Sequence, residues 1–323
     1  MLAAKIAVAA ALIAWLVRSG TLDFGALKIF YHRPALLVAS LAVYAFTVVL
    51  GALRWRLLLR LAEVHLSVGR ALQLMLTGMF FNVALPGNIG GDVIRSVYVA
   101  REAPREKRAT IYVIALLDRL LALVGLIGVA CVLTLARGHA VWDSPQLRDL
   151  AIAVLVLTAA TFGGPILLLV VVRRLGSRLD GWTGGASRIG KVFAQIVAAV
   201  RLIAANPKTL VGALGLAVCI HLAGIILFAV LATAITGQDI AVSTLASVYP
   251  LGMLTLVLPI SYAGFGVGHV AFDQLFALVG LTGGATVLNA YLISQIVPCL
   301  CGVIPYLTLR RQAAPIDSEI DAS

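Results

Sequence analysis

Residues Asn82 to Arg95 read Asn-Val-Ala-Leu-Pro-Gly-Asn-Ile-Gly-Gly-Asp-Val-Ile-Arg, and side chains of these types in this order suit the binding of a charged group. Pro86 removes a backbone donor, and Gly87, Gly90 and Gly91 tolerate positive φ, so one helix ends here and another begins. The N–H groups at a helix start attract anions such as phosphate, and glycine lets the backbone approach closely. Arg95, one turn into the new helix, adds a planar fork suited to a phosphodiester. Asp92 acts against phosphate. Its carboxylate is suited to capping the helix, pairing with Arg95 at i+3, or holding an ammonium group. A plainer role for the same two side chains is to anchor an interfacial turn. Asn82, one turn earlier, suits a ligand contact and a bond between helices equally.

Asp118 and Arg119 stand about ten residues into a long apolar stretch. Ionisable groups at that depth in a membrane cost roughly 2.5–3.5 kcal/mol each, so they must face an interior, with Asp92 and Arg95 as expected partners. A structural ion pair and a functional relay fit this pattern equally. A second Pro/Gly cluster, Leu258 to Gly268, contains Pro259, Gly264 and Gly266, with His269 and Asp273 beyond it. These are secondary binding candidates, and Asp273 could serve as a proton site. His221 reads as a hydrogen-bonded core histidine. No nucleotide, zinc-protease, serine-hydrolase or calcium-loop motif is present, and Gly264, Gly266 and Gly268 lack dinucleotide spacing. Cys131, Cys219, Cys299 and Cys301 lie in apolar runs without metal-ligand spacing. No cofactor, metal or catalytic residue is expected.

The elements that position these residues follow from composition. The 323 residues are 61% hydrophobic and 12% charged, with mean hydropathy +1.04. A soluble chain carries about a quarter charged residues. The chain is therefore read as an integral membrane protein, which excludes a cytosolic enzyme, a nucleic-acid-binding domain and a disordered protein. The net charge of +11 is assigned to inner loops and anionic lipid heads. Stretches 2–17, 35–53, 109–136, 150–172, 209–236 and 285–309 approach or reach the roughly 20 apolar residues of a span. Stretches 71–103 and 243–280 are broken mid-way, at Leu85–Asp92 and Leu258–Gly268. Each reads as two half-helices joined by irregular backbone, tolerable at membrane depth only if buried in protein or lining a wet cavity.

Loop 54–70, segment 95–108, link 173–208 and the C-terminus are rich in Arg and Lys, whereas 18–34 and 137–149 hold few. This asymmetry places both termini and the long link in the cytoplasm. The topology then closes only if the two broken stretches are re-entrant, the first from the cytoplasm and the second from outside. Units 35–136 and 209–309 become copies of opposite direction, an inverted repeat. In the link, Ile189, Val192, Phe193, Ile196, Val197, Val200 and Ile203 fall at helical spacing. They predict an amphipathic helix at the inner interface or against the bundle. Residues 1–311 are read as one membrane domain, and 312–323 as a disordered acidic tail.

The Asn82–Arg95 stretch, Asp118-Arg119, and Leu258-Pro259 with the glycines to Gly268 resemble the flippase-like transmembrane region of lysylphosphatidylglycerol synthases and its stand-alone relatives. The resemblance covers essentially the whole chain, and Pro-Gly-x-x-Gly-Gly-Asp-x-x-Arg is its most specific part. In bifunctional relatives this region is thought to move an aminoacylated phospholipid between leaflets, after a separate cytosolic domain has made it. The chain stops 12 residues after Arg311, so aminoacyl transfer is not expected. Stand-alone relatives are linked to other lipids, including polyprenyl-linked sugars and hopanoids. The family's second motif commonly runs Gly-x-Gly-Val-Arg-Glu. Here Gly264-Phe265-Gly266-Val267-Gly268-His269 lacks both charges, so the second hairpin is not expected to supply the family's charged site.

The resemblance and the residues together imply an all-α polytopic protein of a bacterial inner membrane, with six spans and two opposed re-entrant hairpins. It would translocate a lipid head group while the tails stay in the bilayer, because the head is what cannot cross hydrocarbon. Asn82, Gly87, Gly90, Gly91, Asp92, Arg95, Asp118 and Arg119 would line that path. Expected partners are membrane lipids, with phospholipid, polyprenyl or hopanoid-type cargo, and no nucleic acid; self-association is left open. The rival readings are an intramembrane lipid or sugar transferase, for which loop 137–149 offers only Asp143 and Asp149, and a non-transporting scaffold for lipid synthesis.

Overall fold

The structure, a computed structural model, describes residues 24–84, 90–138, 145–183, 205–257 and 267–313. The described residues are helical, with no strand among them. Eleven α-helices follow in order: α1 (Phe24–His32), α2 (Pro34–Leu59), α3 (Val68–Ala84), α4 (Gly90–Glu102), α5 (Arg108–Ala136), α6 (Pro145–Thr183), α7 (Pro207–Thr236), α8 (Val242–Val257), α9 (Val267–Leu278), α10 (Gly284–Cys301) and α11 (Val303–Ala313). Short 3-10 turns at Arg60–Ala62 and Arg105–Lys107 lead out of α2 and into α5. Pro34, Pro145 and Pro207 open their helices, where a missing N–H costs nothing.

Among the described residues four stretches are long and apolar enough to cross a membrane: Pro34–Ala62, Arg105–Ala136, Pro207–Thr236 and Gly284–Leu309. The protein is an all-α polytopic membrane protein. The predicted span 150–172 falls within α6. The predicted span 2–17, the amphipathic segment 189–203 and the tail 312–323 lie largely or wholly outside the described residues. The broken stretches become helix pairs, α3 with α4 and α8 with α9. With 13 residues in α4 and 12 in α9, these legs are about 20 and 18 Å long at 1.5 Å per residue. Neither alone spans a hydrocarbon core of about 30 Å.

One expectation is corrected. Arg54 and Arg56 were assigned to a loop beginning at residue 54, but α2 runs on to Leu59. The apolar stripe carries it past the two charges. Ala52, Trp55, Leu58 and Leu59 are completely buried, so packing holds the helix together where charge had suggested an end.

The chain forms two compact units. The first comprises residues up to Val49, Leu72–Arg95, and Ala223 onward; the second comprises Leu50–Ala71 and Ser96–Leu222. In the first, α8 packs on α9, α9 on α10, and α1 on α10. Arg33 donates from Nη1 to the Ala234 carbonyl at 3.3 Å, placing a cation against the last turn of α7, where the helix dipole is negative. α7 ends at Thr236, and Gly237 just beyond it has a φ of +69°, which suits glycine at a helix terminus. An aromatic cluster of Phe228, Tyr249, Phe272, Phe276 and Tyr291 fills the core of this unit. In the second unit α5 packs along α6.

Candidate functional site

The tip of the first hairpin is built on a contact between two glycines. A methyl group on Gly91 would overlap the Gly78 carbonyl oxygen, and one on Gly78 would lie 2.9 Å from the Gly91 oxygen. The backbones of α3 and α4 therefore touch directly, which only glycine at both positions allows. Asn82 Oδ1 accepts the Gly91 N–H at 2.8 Å. This bond satisfies one of the orphan donors at the start of α4, so the Gly91 N–H expected to face a ligand is taken by α3.

The same crossing sets the charges. Asp92 occupies the first turn of α4, the end at which the helix dipole favours an anion. Arg95 Nη2 lies 3.1 Å from Asp92 Oδ1, and its Nη1 donates to Met75 Sδ at 3.2 Å. Arg95 is buried at 2% exposure, while the Asp92 side chain retains 17%. The guanidinium thus lies beneath a carboxylate that is nearer the surface. α3 is held from behind by Phe80 and Phe81 against Tyr306 of α11, and a methyl on Gly302 would overlap the Leu76 carbonyl. Gly90 begins α4, and Gly87 lies outside the described residues.

Asp118 sits in the second unit, 2% exposed. Its Oδ1 accepts from Arg54 Nε at 2.7 Å, inside the apolar part of the helices. Arg54 is 8% exposed and was not singled out from the sequence. Arg119 is half-buried beside Asp118. His221 of α7 donates from Nε2 to the Ala122 carbonyl, one turn beyond Asp118, at 3.0 Å; a carbonyl can only accept, which puts the proton on Nε2. α5 and α7 meet closely at Gly125, where a methyl would lie 2.9 Å from Ala217 Cβ. Three helices thus surround one buried charge pair, which can act as a fixed field or hold the bundle together.

The second hairpin is packed differently. A methyl on Gly252 would overlap the Phe272 ring, and one on Gly268 would overlap Leu256 Cδ2. His269 Nε2 donates to Asn289 Oδ1 at 2.7 Å, and Asn289 is 6% exposed. Asp273 Oδ1 accepts the Ala285 N–H at 2.7 Å, capping the start of α10. Both side chains therefore tie α9 to α10. Pro259, Gly264 and Gly266 lie outside the described residues. Among the described residues no group of His, Cys, Asp and Glu could hold a metal.

The model of a family described as the lysylphosphatidylglycerol synthase TM region matches residues 2–304. Comparison with curated proteins and with solved structures gives no match.

Proposed function

The chain belongs to the lysylphosphatidylglycerol synthase transmembrane-region family, and from that premise we propose that it is a lipid translocase of a bacterial inner membrane, not an enzyme. In this reading it passes the polar head of a phospholipid, or of a polyprenyl- or hopanoid-type lipid, between leaflets while the tails remain in the bilayer. The observation that carries it is the Asp92–Arg95 pair at the start of α4, 3.1 Å apart, next to the glycine contact between the two helices of the hairpin. A carboxylate and a guanidinium side by side complement a head group bearing both ammonium and phosphate. The buried Arg54–Asp118 pair, within the second unit, is a further candidate for a polar role, because charges at such depth are costly and are kept where they serve transport or packing. In this arrangement both termini are cytoplasmic, the two hairpins are re-entrant from opposite faces, and units 35–136 and 209–309 form an inverted repeat.

A leaflet assay in proteoliposomes tests this, using fluorescent phospholipids of defined head group and comparing wild type with Arg95→Ala and Asp118→Asn. The expected result is head-group-dependent crossing that falls about tenfold or more in Arg95→Ala, equivalent to at least ~1.4 kcal/mol of lost interaction, and falls also in Asp118→Asn. Equal crossing in all three folded proteins would overturn the site. Absence of crossing for every phospholipid, polyprenyl lipid and hopanoid supplied would overturn the translocase and leave the scaffold reading.

A further inference from the structure

The open end of the first hairpin carries a surface that the translocation path does not use. Two ion pairs gather it within the second unit. Lys107 Nζ lies 2.8 Å from Glu63 Oε2, tying the turn after α2 to the turn before α5. Arg70 pairs with Glu102, tying the start of α3 to the end of α4. These ties bring together Arg60, Arg101, Arg105 and Arg108, all exposed, and none of the four makes an ion pair among the described residues. Glu63 and Glu102 are already engaged, so Glu106 is the remaining acid in these turns.

Position decides what such a surface meets. The apolar stretch Pro34–Ala62 carries Arg60 in its last turn, and Arg105–Ala136 begins at Arg105. The four guanidinium groups therefore stand where hydrocarbon gives way to head groups, the level at which basic side chains flank spans. Val68, 41% exposed, adds an apolar residue to the same rim. The anions present at that level are lipid phosphates, and guanidinium binds phosphate through paired N–H donors. A nucleic acid or an acidic protein would have to displace them.

We infer that Arg60, Arg101, Arg105 and Arg108 form a docking surface for anionic phospholipid at the base of the first hairpin, separate from the Asp92–Arg95 tip. The purified full chain in neutral detergent would be offered phosphatidylglycerol and phosphatidylcholine in equal amounts, with bound lipid counted by native mass spectrometry. Wild type is expected to retain phosphatidylglycerol over phosphatidylcholine by about fivefold or more, as expected for basic groups near an anionic surface. Combined Arg60→Gln, Arg101→Gln, Arg105→Gln and Arg108→Gln substitution should bring the ratio close to one, while Arg148→Gln, at an exposed arginine near the start of α6, should leave it unchanged. A wild type without preference, or a preference that survives the four substitutions, would overturn the inference. Loss of the preference in Arg95→Gln alone would assign the lipid to the tip and overturn it equally. If the fourfold variant does not fold, wild type decides by salt: the preference should collapse near 0.5 M, where screening shortens the reach of charge to about 4 Å, and its persistence would overturn the surface.

Discussion

The two broken stretches share one sequence pattern, a proline followed by clustered glycines between two short helices, yet their helices pack by opposite means. In the first, Gly78 and Gly91 put backbone against backbone, and no side chain intervenes where α3 and α4 cross. The polar residues beside that crossing, Asn82, Asp92 and Arg95, bond within the hairpin. In the second, Gly252 receives the Phe272 ring and Gly268 receives Leu256. Its polar residues, His269 and Asp273, bond outward to α10. The first pattern sets a charged pair at a tight crossing. The second builds a hydrophobic clamp fastened to its neighbour. A helix break in a membrane protein is therefore not itself a site; what matters is whether its glycines admit backbone or side chain.

The strongest way to break this contrast is to add one methyl group to each hairpin. Gly91→Ala places a carbon on a carbonyl that cannot move without moving α3. A loss of about 3 kcal/mol is expected, the upper part of the usual range for overpacking. Gly268→Ala meets the far end of a leucine, which can change rotamer, so a loss of about 1 kcal/mol is expected. Thermal unfolding of both purified variants in one detergent measures the difference. Similar losses would mean that the hairpins are packed alike.

A smaller effect sharpens the role of the second hairpin. Asp273→Ala removes the acceptor for the Ala285 N–H and leaves the start of α10 uncapped. Loss of a helix cap costs about 1 kcal/mol, so melting should fall modestly, and Asp273→Asn should recover most of it because the amide oxygen can still accept. If Asn restores nothing, the carboxylate charge matters, and Asp273 returns as the proton site expected from sequence.

Much of this architecture was legible beforehand because apolar run length and Pro/Gly breaks depend on local physics. The spans near 35–53, 109–136, 209–236 and 285–309 and the pairs flanking 85–92 and 258–268 needed no tertiary information. Arg54 was less legible. A charge at the end of an apolar run reads as a boundary, and only contact with Asp118, 64 residues away, makes it part of the interior. Gly78 was also missed, since an isolated glycine in an apolar helix carries no mark of the backbone that will cross it. Pro250 shows the converse: it lies inside a helix, α8, as buried membrane helices allow when neighbouring groups satisfy the freed carbonyl.

The smallest expected effect concerns the open ends of the two hairpins. That of the first is tied by Glu63–Lys107 and Arg70–Glu102; that of the second runs through Gly237–Ala241, whose one charged residue is Asp239, and through Val279–Gly283, which contains none. The hydrogen bond from Lys107, and then its positive charge, hold the Glu63 carboxyl below its ordinary value. A carboxyl whose folded value is depressed adds stability that is fully present above its unfolded value and is lost as pH falls through the folded one. Between about pH 5 and 8 the tie should therefore be constant, and it should loosen only below about pH 4. Because the pair is exposed, the effect is local and small. Hydrogen exchange, corrected for its intrinsic pH dependence, should quicken in residues 60–70 and 103–108 between pH 6 and 3.5 while 279–283 stays unchanged. Glu63→Gln should show the faster rate already at pH 6, since its neutral amide keeps a hydrogen-bond acceptor but gives Lys107 no opposite charge. Acid-induced change of equal size at both open ends would show that the ion pairs do not distinguish the two hairpins, and would confine the contrast between them to their glycines.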